Sequence, residues 1–174
     1  MPNYRLQLAN TEIIPGLEDL FKALGHGDQG FEGTDYGQPG FDLNAYLEEQ
    51  QKFYHGENLP KGYVPASLFW LLNDKKIPIG IGKLRHKLNK RLTFRGGHIG
   101  YYIAPAYRGQ GAGKELLRLL LIEAKKLGIK RALLTVLSTN LASQKIIEYN
   151  GGVLEDERVN KDGLPFKRYW IEII

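Results

Sequence analysis

The chain has 174 residues, of which 43% are hydrophobic and 25% charged, with a formal net charge of +5. This composition is typical of one soluble globular domain, and the mild positive charge, spread along the chain, favours an anionic ligand over a nucleic acid. Cysteine is absent, which excludes disulfides, thiolate metal sites and cysteine nucleophiles. The first ten residues lack the apolar core of a signal peptide, and no apolar run approaches membrane-spanning length, so we expect a cytoplasmic protein.

The first third of the chain is predicted to form a strand, two helices and a long loop. The segment NYRLQLAN alternates as a strand does, and Pro15 opens a short helix. Residues 25–40 hold six glycines without periodicity, which predicts a loop of the kind that often shapes a functional site. Asp42 is expected to cap the second helix. The apolar face of that helix is formed by Leu43, Tyr46, Leu47 and Phe53.

From residue 64 onwards the pattern changes to short apolar segments that favour strands. ASLFWLLND, KIPIGIGKL and GGHIGYYIA are close enough along the chain to form antiparallel neighbours. RALLTVLS follows after a long helix, which predicts a β-α-β crossover and a parallel pair. A second helix ends at Gly151 and Gly152, and two final strands flank a turn at residues 161–163. The predicted fold is a mixed α/β sheet covered by helices.

Three glycines, Gly109, Gly111 and Gly113, alternate where the long helix should begin. Glycine weakens a helix start, but it permits close approach of backbone N–H groups to an anion such as a phosphate. Arg108 and Lys114 would add positive charge. The segment is not a Walker A loop, because no Ser or Thr follows the lysine, and the third glycine comes one position early for a Rossmann fingerprint.

The pattern that does fit is R-x-x-G-x-G, here Arg108, Gly111 and Gly113, directly after the strand exit IAPAY. Together with the crossover and a helix led by Asn140 that ends in NGG, this segment resembles the GNAT superfamily of N-acetyltransferases. The likeness covers residues 64–174 in the order of elements. It implies a mostly antiparallel central sheet with one parallel β-α-β crossover, flanked by helices. It also implies acetyl-CoA-dependent transfer of an acetyl group to an amine by direct attack on the thioester.

The resemblance further implies how a single acetyltransferase domain, residues 1–174, is divided. Residues 64–174 would supply the sheet and the acetyl-CoA site, and residues 1–63 the helices and the acceptor-side loop. We expect loop 25–40 and the helix from Asp42 to form the acceptor wall. The acceptor would be an amine on a small molecule or a protein. No metal is implied, a membrane or nucleic-acid partner is not expected, and a homodimer is left open.

The coenzyme-binding residues implied by the family form the turn and two flanking sites. The set is Ile103, Ala104, Arg108, Gly109, Gln110, Gly111, Ala112, Gly113, Lys114, Asn140 and Ser143. Backbone amides of residues 110–113 would hold the pyrophosphate, while Ile103 and Ala104 would pair with the pantetheine arm and polarise the thioester carbonyl. Asn140 and Ser143 would meet the coenzyme across splayed strands. The alternatives are an ordinary strand-to-helix turn, core packing, a helix cap at Asn140 and an exposed Ser143.

His98 is the candidate base. Many family members carry a glutamate at a comparable position, and histidine titrates near neutrality, so it could act directly or through water. His98 lies roughly 16 to 17 Å along an extended strand from Ile103, so a bend, a bulge or a water relay would be needed. The alternative is a histidine that is hydrogen-bonded within the sheet.

The family's tyrosine acid falls on Ile147 in this chain, and Tyr149 lies on another face of the helix. The acid is therefore left to water or another tyrosine, although Tyr101 and Tyr102 are expected to pack in the sheet. The missing tyrosine suits an alternative function, a non-catalytic acyl-CoA sensor. A weaker alternative, an RNA-binding module, lacks a platform of interleaved aromatic and basic residues.

Overall fold

The computed structural model describes residues 2–174, and its longer strands form two antiparallel sheets. In chain order the strands are β1 (Arg5–Leu8), β2 (Gly27–Asp28), β3 (Phe31–Glu32), β4 (Ala66–Leu72), β5 (Pro78–Arg85), β6 (Ile99–Ile103), β7 (Arg131–Leu137), β8 (Val153–Val159) and β9 (Pro165–Glu172). One sheet has the order β1-β4-β5-β6 and the other the order β7-β9-β8, while β2 and β3 form a small separate hairpin.

The helices begin at side-chain caps or glycines that the sequence supplies. They are α1 (Leu17–Leu24), α2 (Leu43–His55), α3 (Lys90–Phe94), α4 (Ala112–Lys126) and α5 (Leu141–Tyr149), with a 3-10 turn at Pro105–Tyr107. The predicted cap of α2 is confirmed, because the Asp42 carboxylate accepts the N–H groups of Asn44 and Ala45. The short helix α3 was not predicted; Asn89 begins it by accepting the N–H of Leu92. Within residues 2–174, no helix has the length and apolar character needed to cross a membrane.

Helices cover both faces of the four-stranded sheet. α4 packs on one face through leucines at helical spacing, such as Leu116 and Leu120, which are fully buried. Burial of one such side chain contributes about 1.5 to 3 kcal/mol. Gly82 of β5 allows this close packing, since a Cβ there would lie 2.8 Å from the Leu120 methyl groups. α1 and α2 cover the opposite face, where Phe21 meets the buried Trp70 edge to face.

The β-α-β crossover is present as β6-α4-β7, but the parallel pairing predicted for its two strands does not form. β6 and β7 belong to different sheets and are joined by an isolated bridge between Gly97 and Leu134. The backbone φ angles of Gly96 and Gly97 are 112° and 63°, conformations that redirect the chain just before β6 begins. The mixed α/β fold class, with antiparallel sheets flanked by helices, is confirmed.

The predicted loop at residues 25–40 contains the β2–β3 hairpin. Each of its strands is two residues long, too short to show a period in the sequence. The hairpin lies over β6, where the Phe31 and Tyr102 rings stack with their centroids 6.0 Å apart. On its other side, a Cβ added to Gly30 would lie 4.0 Å from the Leu137 side chain of β7. The hairpin therefore spans the gap between the two sheets.

Candidate active site

A cleft of about 1220 Å³ opens where the two sheets part. The segment that leads into α4, residues 108–114, is called the glycine turn here, and all of it except Gln110 lines one end of the cleft. The other end is lined by the β2–β3 hairpin, α2 and the last residues of β5. We refer to these as the turn end and the hairpin end of the cleft.

Two sheet edges without strand partners face each other across the cleft. In β6 the N–H of Ala104 donates to the Ile79 carbonyl. Because pairing alternates along an antiparallel ladder, Tyr101 and Ile103 direct their N–H and C=O groups away from β5. The same alternation in β7, which pairs with β9, turns the backbone of Thr135 toward β6. An extended chain that carries amide groups can pair with such edges as a strand would.

His98 lies where the two edges meet. Its side chain is buried, its N–H donates to the Leu133 carbonyl at 2.7 Å, and its ring Nδ1 accepts the Leu133 N–H at 3.0 Å. Burial, followed by the charge of Arg85, lowers the pKa of His98 to about 4. Among residues 2–174, the lining of the cleft does not include His98. A ring with an occupied lone pair and so low a pKa is a weak base at neutral pH, so this geometry favours the hydrogen-bonded histidine over the predicted base.

The backbone conformation of the glycine turn favours glycine at two of its positions. Gly109 and Gly111 have φ angles of 74° and 82°, a left-handed conformation in which other residues are strained. Gly111 begins α4 without a side-chain cap, and the first helical hydrogen bond runs from the Glu115 N–H to the Gly111 carbonyl. The N–H groups of residues 112–114 therefore have no acceptor within the helix and lie at the wall of the cleft. With the positive end of the helix dipole, they form a site suited to an anion.

Gly113 serves a different purpose from the other two glycines. It is buried, and a Cβ added there would lie 2.6 Å from Cδ1 of Ile146 on α5. Its absent side chain lets α4 and α5 pack closely beneath the turn. Gly113 thus contributes its N–H group to the site, while its lack of a side chain is a requirement of helix packing.

Arg108 connects the glycine turn to two other parts of the cleft. Its Nε donates to the Ile103 carbonyl at 2.8 Å, at the end of β6. Its Nη2 pairs with the carboxylate of Asp28 in the β2–β3 hairpin. Lys114, on the first turn of α4, holds its ammonium over the Tyr149 ring at 4.1 Å. Arg108 therefore positions the strand end, the turn and the hairpin relative to one another.

Two of the predicted coenzyme-binding residues, Ala104 and Gln110, are not among the described residues that line the cleft. Ala104 is buried, and its N–H is taken by the Ile79 carbonyl at 2.9 Å, so it cannot polarise a thioester. Gln110 is exposed, and its carbonyl accepts the Tyr4 hydroxyl at 3.4 Å. The N–H group of Tyr101, which faces the gap, was missed at the sequence level.

The start of α5 meets the middle of the cleft. Asn140 caps this helix by accepting the Ser143 N–H at 3.2 Å, and both residues line the cleft. The Ser143 Oγ lies 2.6 Å from the Tyr101 hydroxyl. Burial raises the pKa of Tyr101, so its hydroxyl keeps its proton at neutral pH. Tyr101, which was expected to pack in the sheet, is therefore a polar group of the cleft, and strand alternation alone could not show this.

Side chains from separate segments line the hairpin end. They are Glu32, Tyr46, Phe53, Tyr63, Lys83, Arg85 and Arg91. The first three come from the predicted acceptor wall, whereas the cations of β5 and α3 were missed. The available signal was the alternation of Ile81, Lys83 and Arg85 along one face of β5. No cluster of three or more His, Asp or Glu residues within residues 2–174 could hold a metal ion.

Comparison with protein families matches residues 35–151, over half of the chain, to the acetyltransferase (GNAT) family. The chain belongs to the GNAT family. The resemblance seen in the glycine turn and the Asn140 helix is thereby confirmed, and acetyl transfer is the activity of this class. Comparison with curated sequences finds no match.

Solved structures agree with the GNAT fold at low sequence identity. The ribosomal-protein-S5-alanine acetyltransferase of Vibrio fischeri has a TM-score of 0.72 and 17% identity, over 98% of this chain and 93% of that one. RimL, a ribosomal L7/L12 alpha-N-protein acetyltransferase in complex with coenzyme A, has a TM-score of 0.68 and 17% identity, over 98% of this chain and 94% of that one. A spermidine N-acetyltransferase chimera from Vibrio cholerae and hSSAT has a TM-score of 0.64 and 18% identity, over 97% of this chain and 95% of that one.

Proposed function

We propose that this GNAT protein transfers the acetyl group of acetyl-CoA to an amine by direct attack of the amine on the thioester. The observation that carries the proposal is the continuous cleft, which joins an uncapped helix start to the hairpin end and passes between two unpaired sheet edges. In this assignment the chain acts as one domain, with the hairpin and α2 on the acceptor side.

Each part of the cleft suits one portion of acetyl-CoA. The pyrophosphate would bind the N–H groups of residues 112–114, with the charges of Arg108 and Lys114 nearby. The amides of the pantetheine arm would pair with the edges of β6 and β7. The N–H groups of Tyr101 and Ile103 would then lie along the thioester, where a backbone donor stabilises the developing oxyanion.

The acceptor nitrogen gives up two protons and the sulfur gains one. An alkylammonium acceptor, with a pKa of about 10.4, loses the first proton to water before its nitrogen attacks the carbonyl carbon. The nitrogen of the tetrahedral adduct loses the second proton to water as the C–S bond breaks, and the departing thiolate gains a proton. We assign this last transfer to Tyr101, whose protonated hydroxyl lies in the cleft beside Ser143 and regains its proton from water. Ile147, at the family's tyrosine position, is 1% exposed in the core, and Tyr149 is 70% exposed, which supports Tyr101 as the donor.

Release of free thiol from acetyl-CoA across a panel of amines tests the proposal. Titration calorimetry on the same protein measures acetyl-CoA binding independently of turnover. Thiol release that depends on an amine supports acetyl transfer. Binding of acetyl-CoA with a raised melting temperature but no release with any amine would instead indicate an acyl-CoA sensor. Absence of binding would overturn the assignment of the cleft.

A further inference from the structure

A recess of about 180 Å³ opens from the hairpin end of the cleft, beside β5. Aromatic walls and charged groups line it: Phe53, Tyr63, Glu32, Lys83, Arg85 and Arg91. Lys83 and Arg85 point to the same face of β5 because they are two residues apart. The Lys83 ammonium lies over the Phe53 ring, 5.9 Å from its centroid.

The cations of the recess lack acidic partners. Within residues 2–174, no carboxylate lies within 4.0 Å of the charged groups of Lys83, Arg85 or Arg91. Backbone carbonyls hold the two guanidinium groups instead: Arg85 donates to Gly97 at 3.2 Å and Arg91 to Gly62 at 3.2 Å. These bonds fix the positions of the charges without neutralising them.

The electrostatics of the recess favour a negative ligand. Burial, followed by the charge of Arg85, lowers the pKa of Lys83, and burial followed by the charge of Arg91 lowers the pKa of Arg85. Glu32 acts in the opposite direction, but for both groups its effect is smaller than that of burial. Positive charges that are partly removed from water and repel one another are stabilised by an anion that pairs with them.

We propose that the acceptor amine carries an anionic group, a carboxylate or a phosphate, which binds Lys83, Arg85 and Arg91. The proposal rests on the acetyl transfer proposed above and narrows its acceptor class. The anion occupies the recess, and the amine extends along the cleft toward Tyr101. Guanidinium groups suit both kinds of oxyanion, whereas a polyamine would bring its own cations against those of the recess.

Matched pairs of amines test the proposal by turnover. The panel contains glycine with glycinamide, phosphoethanolamine with ethanolamine, and spermidine. We expect the anionic member of at least one pair to have a kcat/KM higher by about tenfold or more, as expected for a charge-assisted contact. The first pair reports on a carboxylate and the second on a phosphate. A neutral member or spermidine that performs as well as the anionic amines would overturn the proposal.

Two variants locate the effect in the recess. Lys83→Gln should remove most of the preference, whereas Lys87→Gln, an equal loss of charge at an exposed position just after β5, should keep it. Preference retained in Lys83→Gln would count against the proposal. Circular dichroism and acetyl-CoA binding confirm that each variant is folded. Failure of acetyl-CoA binding in the parent would be a failure of the proposed function instead.

Calorimetry decides the question even if no amine in the panel is turned over. Acetate and inorganic phosphate are titrated into protein saturated with coenzyme A, so that the glycine turn is already occupied. We expect one of these anions to bind the parent and Lys87→Gln, and to bind Lys83→Gln at least about tenfold more weakly. Binding of neither anion, or equal binding to parent and Lys83→Gln, overturns the proposal while leaving the acetyl-CoA site untouched.

Discussion

The two ends of the cleft are built from different parts of the protein. At the turn end, the proposed binding groups are backbone N–H groups, placed by the left-handed glycines and by the start of α4. At the hairpin end they are side chains, such as Glu32, Phe53 and Lys83, brought together from distant segments. Backbone groups depend on local conformation, which leaves a compact motif in the sequence. Side chains from separate segments leave none, so the coenzyme can be inferred from sequence, and the acceptor only from the structure.

The largest effect is expected where the two ends meet. Replacement of Tyr101 by Phe removes the hydroxyl beside Ser143 but keeps the ring, so kcat should fall by about 10²-fold, the loss typical of a general acid. Acetyl-CoA affinity, which depends on the backbone, should stay unchanged in calorimetry. Tyr54→Phe, at a 39% exposed tyrosine, is the matched control. A parental kcat in Tyr101→Phe would show that the thiolate takes its proton from water.

The junction of the sheets should make stability depend on pH through His98. The folded protein holds this ring neutral with a pKa of about 4, below its usual 6.5, so the unfolded chain binds more protons between these values. The contribution of His98 to the free energy of unfolding is therefore complete above pH 6.5. It is lost as pH falls toward 4, by up to about 3 kcal/mol. Urea unfolding should show that the difference in free energy of unfolding between the parent and His98→Gln shrinks as pH falls from 6.5 to 4.

Two results would contradict this reading of His98. One is a stability gap that stays constant with pH, which would mean that the ring does not titrate as described. The other is an acid limb in kcat near pH 6.5 that disappears in His98→Gln, which would restore the base role. His55→Gln, at an exposed histidine, controls for the loss of an imidazole.

A substitution in the glycine turn should weaken acetyl-CoA binding at the turn end without changing acceptor preference at the hairpin end. Gly111→Val strains the backbone, whose φ is 82° at this position, and relief of that strain would shift the N–H groups that follow, so acetyl-CoA binding should weaken by about tenfold, ~1.4 kcal/mol. Acceptor preference should persist at saturating acetyl-CoA. Gly128→Val is the matched control, because Gly128 has a φ of 78° and open space around it at the far end of α4. Equal affinity in both variants would rule out the turn as the pyrophosphate site.

The smallest effect is expected from the hairpin. Phe31→Ala removes the ring that stacks on Tyr102, so the acceptor wall should loosen and acceptor KM rise by about threefold, ~0.7 kcal/mol. Acetyl-CoA affinity should change by less than this. Ile122→Ala, at a 41% exposed position on the outer face of α4, provides the control. If acetyl-CoA affinity fell as much as acceptor KM rose, the two ends would not be separate units.

Much of the fold and the turn end could be predicted because the signals are local. The strand and helix periods, the Asp42 cap and the R-x-x-G-x-G pattern each occupy a short stretch of chain. The separation of β6 from β7 could not be predicted, since it depends on the φ angles of Gly96 and Gly97 and on a ring nitrogen of His98 replacing a main-chain acceptor. Recognition of Lys83 as a ligand-binding residue likewise required the tertiary structure, because its neighbours in the recess are far away in sequence.

The gap between β6 and β7 also bears on how the protein behaves in storage. Exposed rows of backbone N–H and C=O groups are templates on which another chain can add a strand and begin to aggregate. This protein has two such rows, separated by a cleft and bridged on one side by the β2–β3 hairpin. A pantetheine arm lying between them would occupy both rows at once. Protein saturated with coenzyme A should therefore aggregate less on heating than the free protein, whether or not an acceptor is present.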